Sequence, residues 1–449
     1  MSKNEQDINN ILKYHEKELQ TIKRPDISKI ETSISNSEKL LIEMGYKLNN
    51  NIEQKSKQKH KQTIIVPSWK EMCLEAQKTV GNDIQINELF TKKELQDNEL
   101  AIKLMNEEYN SIHKLDNIDL TICILAGLLA AIVDILLVGI PKKTNTGIKA
   151  GKLSDYVRQW FEKEFPKVEM EELANSKISK VSFDAQDNRY TTHYVDGLSA
   201  YYHRLLSLGH DPFLGLIFGV LDILSGRMTT IDKKGKIVSQ VMENYADRKE
   251  SDIFKAIAKQ ILHFKSDLTT SMGLPAPFMS LFNLFQFGNV GESEQTIAEI
   301  VQGMYFEGYD FIQFCASSIP TMLIEVIVRL SYAFKKIKNG SLIKDSIPFS
   351  LDREKNPKLS TMLFISHAIT SSINAGKVFF KENPMAINYA EWITFAKYSY
   401  MQLKWAIFQK PKLKEAYIKG QIQDELNTVY DEINKTYNKC LDDYNIIFN

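Results

Sequence analysis

The longest apolar run in the chain constrains the fold more than any other feature. Residues 120–140 are LTICILAGLLAAIVDILLVGI, and Asp134 is the one charged side chain among them. A helix of this length rises about 30 Å, which matches the hydrocarbon thickness of a bilayer. The chain must therefore either bury this helix in a large core or place it in a membrane.

Two observations favour the buried helix. An Asp at the centre of a bilayer costs about 2.5–3.5 kcal/mol. Four lysines follow the run, at Lys142, Lys143, Lys149 and Lys152. The positive-inside rule would place them in the cytoplasm, so roughly 115 preceding residues would have to cross the membrane. The N-terminal MSKNEQDINN lacks the apolar region of a secretory signal. The sequence thus favours a buried central helix, with a membrane-spanning helix as the alternative.

The regions on either side of this core are charged and have helical spacing. Apolar residues at Leu40, Leu41, Met44 and Leu48 predict a helix after Ser35. Further helices are expected after Pro67, over 92–113 and from 412 to 449. The predicted fold is all-α, a multi-helix apolar core flanked by charged amphipathic helices. Its predicted parts are an N-terminal charged helical module (1–115), the apolar helical core (116–410) and a C-terminal amphipathic helix (411–449).

Within the core, breaks between apolar segments predict the order of its elements. Helices are expected over 153–165, 199–208, 213–224, 251–264, 294–334 and 359–409. Residues 180–196 predict a loop or short hairpin, and 225–237 a hairpin or loop with its turn at 232–235. The Phe-rich stretch PFMSLFNLFQFG follows two prolines and is interpreted as a core helix or a helix lying on a membrane surface.

Composition narrows the range of functions. The chain has 56 Lys and Arg against 56 Asp and Glu, so no nucleic-acid partner is expected. A local basic run at 55–61 is interpreted as a solvated linker, or alternatively as a contact to phosphate or anionic lipid. The four cysteines form no CxxC pair, which argues against a disulfide framework or a thiolate zinc site. We expect a cytoplasmic protein or one associated with the cytoplasmic face of a membrane.

The stretch YYHRLLSLGHDPFLG at 201–215 holds the most distinctive candidates for chemistry, His203, His210 and Asp211. Imidazole and carboxylate are good ligands for divalent transition metals. On one straight helix His203 and His210 would lie about 10 Å apart, too far to share an ion. Gly209 is expected to end the helix and turn the chain back. The sequence therefore allows a metal site here that more distant ligands would have to complete.

Several polar side chains inside apolar helices are candidates to complete that site. Asp134 and His367 are the predicted partners; Asp222, Asp267 and Asp310 are further donors. Burying such groups is costly unless they are paired or bound to a metal. Structural roles are the alternative. Asp211 before Pro212 suits the N-cap of a helix starting near Phe213, His203 and His367 would be core histidines, and Asp134 would pair with Arg204 or a lysine.

Two functional hypotheses follow from these residues. In the first, the protein is a metal-dependent hydrolase, with His203, His210 and Asp211 as ligands or an acid–base pair and Asp134 or His367 completing the site. Only in placing His and Asp within apolar helices does it resemble membrane-bound metal-dependent hydrolases. Phosphate-loop, HExxH and GxSxG motifs are absent. In the second, it is a non-enzymatic, membrane-associated or partner-binding effector or scaffold, which binds a protein partner or itself through its amphipathic ends.

Overall fold

The computed structural model describes residues 3–21, 32, 35–37, 39–40, 44, 62–81, 84–145, 147–288 and 294–448. Its helices are α1 (Lys3–Thr21), α2 (Trp69–Val80), α3 (Lys92–His113), α4 (Asn117–Val133), α5 (Lys152–Glu164), α6 (Lys167–Asn175), α7 (His203–Leu206), α8 (Phe218–Ser225), α9 (Ile253–Asp267), α10 (Ile297–Phe306), α11 (Phe311–Lys338), α12 (Ile343–Ser346), α13 (Leu359–Lys381), α14 (Tyr389–Lys404) and α15 (Lys410–Asp443). Its strands are β1 (Gln62–Val66), β2 (Lys142–Thr144), β3 (Gly147–Lys149), β4 (Arg227–Ile231), β5 (Ile237–Val241) and β6 (Tyr444–Phe448). The all-α prediction is confirmed, because helices make up most of the described chain.

The chain divides into two compact units, one of residues 1–111 with 410–449 and the other of residues 112–409. The division into three parts at 115 and 410 stays a prediction.

In the first unit, the helices expected after Pro67 and over 92–113 are present as α2 and α3. Helix α1 packs against α2, and Glu71 accepts the backbone N–H of Ser68 to close the first turn of α2. Strand β1 pairs in parallel with β6, with Gln62 opposite Tyr444. The helix expected after Ser35 falls mostly outside the described residues, and the basic run at 55–61 falls wholly outside them.

Four helices of the second unit form a bundle. Helix α13 packs against α4 and α14, and α11 packs against all three. Lys335 near the end of α11 contacts Asp119 in the first turn of α4 (2.6 Å), so these two helices are antiparallel. Lys377 near the end of α13 contacts Asp134 just beyond the end of α4 (2.9 Å), so α13 and α4 run the same way. Small side chains such as Cys123 and Ala126 let α4 pack closely against its neighbours.

The apolar run at 120–140 forms α4 and a following π-helical turn, Asp134–Val138, but it is not the central helix favoured by its sequence. One face is buried, with Cys123, Ala126 and Ala130 fully inside the bundle. The opposite face is open, and Leu125 and Leu136 are 60% and 68% exposed. Two helical stretches, Lys92–Val138 and Phe311–Lys338, are long and apolar enough to cross a membrane. These helices give weak support for membrane association.

A second group of buried residues in this unit packs around α8, α9 and a β-hairpin. The hairpin predicted at 225–237 is confirmed, with β4 paired to β5 and Asp232–Gly235 in the turn. Residues 180–196 are mainly loop, as expected. The helix expected over 199–208 is only the short α7, and the one expected over 213–224 starts as a 3-10 turn before α8. The Phe-rich stretch at 277–288 forms only a short 3-10 helix, Met279–Leu284.

Candidate metal centre

Five polar side chains from three segments converge beside the hairpin. Asp184 lies in the loop before α7, His203 and His210 flank the break after α7, and His263 and Asp267 lie on α9. Asp184 Oδ1 lies 3.3 Å from His203 Nε2 and 3.5 Å from His210 Nε2. Asp267 Oδ2 lies 3.8 Å from His210 Nε2 and 3.6 Å from His263 Nε2. The group is thus a compact cluster of three imidazoles and two carboxylates, the His/Asp cluster.

An interruption of the helix at Ser207 brings His203 and His210 together. Helix α7 ends at Leu206, and Ser207 is extended and bridges to Thr230 of β4. The chain then forms a 3-10 turn, Leu208–His210, which places the His210 ring 5.4 Å from the His203 ring. The close approach that a straight helix forbids is therefore achieved, but the turn is not made by a left-handed Gly209, since its φ is not positive.

Gly209 is required instead by close packing. A Cβ at this position would lie 2.6 Å from ring atoms of Phe183. The Phe183 ring in turn meets the rings of His210 and His263 edge to face, at 5.1 and 5.4 Å. The contact of Phe183 with Gly209 thus fixes the position of the Asp184 loop relative to the rings of His210 and His263.

The Gly209→Ala substitution is expected to destabilise the protein by about 1–3 kcal/mol, because the added methyl group overlaps the Phe183 ring. Urea unfolding followed by circular dichroism measures this change. Gly376→Ala in α13 is the matched control. That position has no atom within 4 Å of an added Cβ, so alanine should stabilise the helix by up to about 1 kcal/mol. Equal effects at the two positions would contradict the packing role of Gly209.

Hydrogen bonds hold two side chains of the His/Asp cluster from its outer side. His203 Nδ1 lies 3.0 Å from the Ala200 carbonyl oxygen, so Nδ1–H donates to it and Nε2 is left with a free lone pair. Arg204 Nη2 donates to Asp267 Oδ1 at 2.9 Å. Its Nη1 donates to Thr270 and to the Met272 carbonyl oxygen. Asp267 Oδ2 is thereby left facing the histidines. Outer contacts of this kind are typical of metal ligands.

The inward-facing atoms have no hydrogen-bond partner among the residues that the structure describes. This holds for Nε2 of His203, His210 and His263 and for Oδ2 of Asp267, all of them buried. Each of these four side chains is at most 4% exposed, whereas Asp184 keeps 24% of its side chain in contact with solvent. A single unpaired buried polar atom costs about 1–3 kcal/mol. Four in one place therefore call for a common partner.

The pKa shifts in the cluster favour a neutral His210 and an ionised Asp184. Burial, together with the neighbouring His263, lowers the pKa of His210 to about 4 despite the opposing effect of Asp184 and Asp267. Burial raises the pKa of Asp184, but its contacts with His203 and His210 and the nearby His263 outweigh this and hold it well below its usual range. His210 is therefore neutral and Asp184 ionised at neutral pH. These are the forms that bind a metal.

The spacing of three of these side chains, Asp184, His210 and His263, fits one ion. Metal–nitrogen and metal–oxygen bonds of about 2.0–2.2 Å arranged as a tetrahedron separate neighbouring ligand atoms by about 3.3–3.6 Å. The observed separations between facing atoms are 3.3–3.8 Å. Ligand atoms of Asp184, His210 and His263 all lie within 4.8 Å of one another. Imidazole with carboxylate suits zinc, iron or manganese.

Asp211 has a different position from the one predicted for a ligand. Its Oδ1 accepts the backbone N–H groups of Phe213 (3.0 Å) and Leu214 (2.9 Å), so it caps the 3-10 turn Leu214–Leu216. Burial raises its pKa to about 6. Its contacts are those of the structural alternative, a capping residue.

The structure does not bring Asp134 or His367 to the His/Asp cluster. Asp134 accepts hydrogen bonds from Asn374, Asn388 and Lys377 at 2.8–3.0 Å within the four-helix bundle. The expected pairing with a lysine is thus present, while Arg204 pairs with Asp267 instead. His367 Nδ1 lies 2.9 Å from Glu391 Oε1, with both side chains fully buried. These residues form the polar network of the bundle.

The remaining predicted donors divide in the same way. Asp267 joins the cluster, whereas Asp222 accepts hydrogen bonds from Thr229 (2.8 Å) and Asp310 is held by both terminal nitrogens of Arg158 (2.8 and 2.9 Å). Sequence reasoning did not select Asp184 or His263. His263 could have been found, because it lies four residues before Asp267 on one helix face.

No protein-family model, curated protein or solved structure matches this chain at a significant level.

Proposed function

We propose that the protein is a metal-dependent hydrolase whose ion is held by the His/Asp cluster. The observation that carries this proposal is the set of buried, unpartnered nitrogen and oxygen atoms facing one another from His203, His210, His263 and Asp267. The two carboxylates, Asp184 and the Arg204-bound Asp267, would place negative charge beside a divalent cation. The ligand set originally expected from His203, His210, Asp211, Asp134 and His367 is revised accordingly.

In this proposal, the enclosed residues of the cluster would hold the ion, and the exposed residue would admit water. His210, His263 and Asp267 are enclosed, and Arg204 fixes the direction of the Asp267 carboxylate. Asp184 is the one partly exposed member, so water and substrate would enter from its side. A bound divalent metal supplies a nucleophile at neutral pH by lowering the pKa of water to about 7. The Asp184 carboxylate, at this entrance, would be the proton acceptor available to an incoming water.

Metal loading followed by elemental analysis tests this proposal. The purified full-length chain is stripped with chelator, reloaded separately with zinc, manganese or ferrous iron, and assayed on chromogenic phosphoesters and carboxylic esters. We expect one equivalent of at least one metal and hydrolysis that depends on reloading. Traces of every metal, in protein that circular dichroism shows to be folded, would reject the metal site. Stoichiometric metal without hydrolysis of either ester class would reject the hydrolase and leave the site.

A non-enzymatic, membrane-associated role is the second candidate, and one observation favours it. The outward face of α4 is apolar and exposed, although it is part of the same unit as the His/Asp cluster. Membrane attachment and hydrolysis are compatible with each other.

A further inference from the structure

The outward face of α4 carries no charge along its whole length. Its exposed large residues are all Ile or Leu, among them Ile118, Leu125, Leu129, Ile132 and Leu136. The acidic side chains of this segment, Asp119 and Asp134, are both buried on the inner side. The face runs for about 30 Å at the helical rise of 1.5 Å per residue. Soluble monomers seldom expose an apolar surface this long and continuous.

The helix packed beside α4 has a matching stripe. Met322, Val326, Leu330 and Phe334 recur every four residues along α11, and each is more than half exposed. On the other side, Ile324 and Val328 of α11 pack into the bundle core with α4. Two adjacent helices therefore each present an uncharged outer side.

Positive charge lies at the end of the α4 face. The segment 141–152, PKKTNTGIKAGK, carries Lys142, Lys143, Lys149 and Lys152 and no acidic residue. All four lysines are exposed, three of them on the β2–β3 hairpin. At the other end, the acidic groups Asp116 and Asp119 are neutralised by Lys335 and Lys358. An apolar face next to an exposed basic segment is complementary to a membrane with anionic headgroups.

We infer that the outward face of α4 rests on the surface of a lipid bilayer carrying anionic headgroups, with the lysines of the β2–β3 hairpin at the headgroups. The composition of the face favours lipid over a protein partner, because it lacks the Trp, Tyr and Arg that dominate protein interfaces. The bundle is not encircled by lipid. Charged α5 packs against α11, and α14 exposes Lys397 and Lys404. The face therefore lies along the membrane, and this inference does not depend on the His/Asp cluster.

Vesicle flotation of the full-length chain tests the inference. The vesicles contain either pure phosphatidylcholine or equal parts of phosphatidylcholine and phosphatidylglycerol. We expect the wild type to float with the mixed vesicles, and the Leu125→Glu/Leu136→Glu variant to bind at least ten-fold more weakly, since each leucine loses its apolar contact. The matched control is Phe254→Glu/Ile261→Glu on α9, where exposed apolar residues outside the face receive the same charges. It should float like the wild type.

A lysine variant covers the case in which the leucine variant fails to fold. Lys142→Ala/Lys149→Ala changes only exposed side chains of the hairpin, and should weaken binding to the mixed vesicles about five-fold per lysine. Binding to neutral vesicles should not change. Wild-type protein that stays at the bottom of the gradient, or leucine and lysine variants that float unchanged, would overturn the inference. So would a lipid-free dimer that the leucine variant splits, since a second copy would then cover the face.

Discussion

The His263→Ala variant is expected to bind zinc, manganese or iron more than about 100-fold more weakly than the wild type. Loss of an outer contact to a ligand costs about 10–100-fold, and in the proposed site His263 would itself be a ligand. Its Nε2 is buried, has no hydrogen-bond partner and faces Asp267 Oδ2 at 3.6 Å. Titration calorimetry on chelator-stripped protein measures the affinity directly.

The same variant also tests whether added metal stabilises the folded protein through this site. Metal at about 100 times its dissociation constant stabilises a protein by about 2.7 kcal/mol, so the wild type should melt several degrees higher when metal is added, and His263→Ala should not. The control is His193→Ala, which removes an exposed histidine from the same unit. It should keep both the affinity and the thermal shift. If His263→Ala retains wild-type affinity while folded, His263 is not a ligand.

The Asp134→Ala variant is expected to lose about 3–5 kcal/mol of stability, the usual cost of removing one partner of a buried ion pair. Lys377 Nζ would be left with its side chain only 9% exposed and no counter-charge. The amide groups of Asn374 and Asn388 would lose their acceptor as well. Denaturant unfolding of the full-length chain measures the loss as a shift of the transition of the second unit.

A second substitution makes the cause of this loss testable. Lys377→Met combined with Asp134→Ala removes both charges and should recover part of the stability lost by Asp134→Ala alone, because no charge is then left buried. The Asp134→Asn variant keeps an acceptor oxygen and should lose less. Metal affinity should stay at the wild-type level in every folded member of the series. A folded Asp134 variant without metal would instead return Asp134 to the ligand set.

The sequence predicted the helical class because periodicity is a local property. The spacing of apolar residues over 92–113 predicted α3 to within a residue at each end. The environment of a helix is not local, however. Residues 120–140 are apolar on every side, so no period distinguishes the face packed on α13 from the face left open. Only the bundle decides that Ala126 is buried and Leu125 is not.

Only part of the candidate site could be predicted from the sequence, for a related reason. His203 and His210 stood out because they lie close together in the sequence, and the break that joins them was expected but assigned to Gly209 instead of Ser207. Asp184 gave no signal, since it lies in a polar loop with other acidic residues. Asp134 and His367 were selected only because burying a polar side chain in an apolar helix is energetically costly. The cost of a buried charge can be met by Lys377 or Glu391 as well as by a metal.

The parallel pairing of β1 with β6 has a consequence for how the protein is made. Gln62 and Tyr444 are neighbours in this sheet, although all of the second unit lies between them in the chain. A ribosome releases the second unit completely before it has synthesised β6, and domains generally fold as units during synthesis. The bundle and the His/Asp cluster would therefore form first, while β1 waits unpaired for the last strand. Its exposed edge needs protection from other chains during that interval.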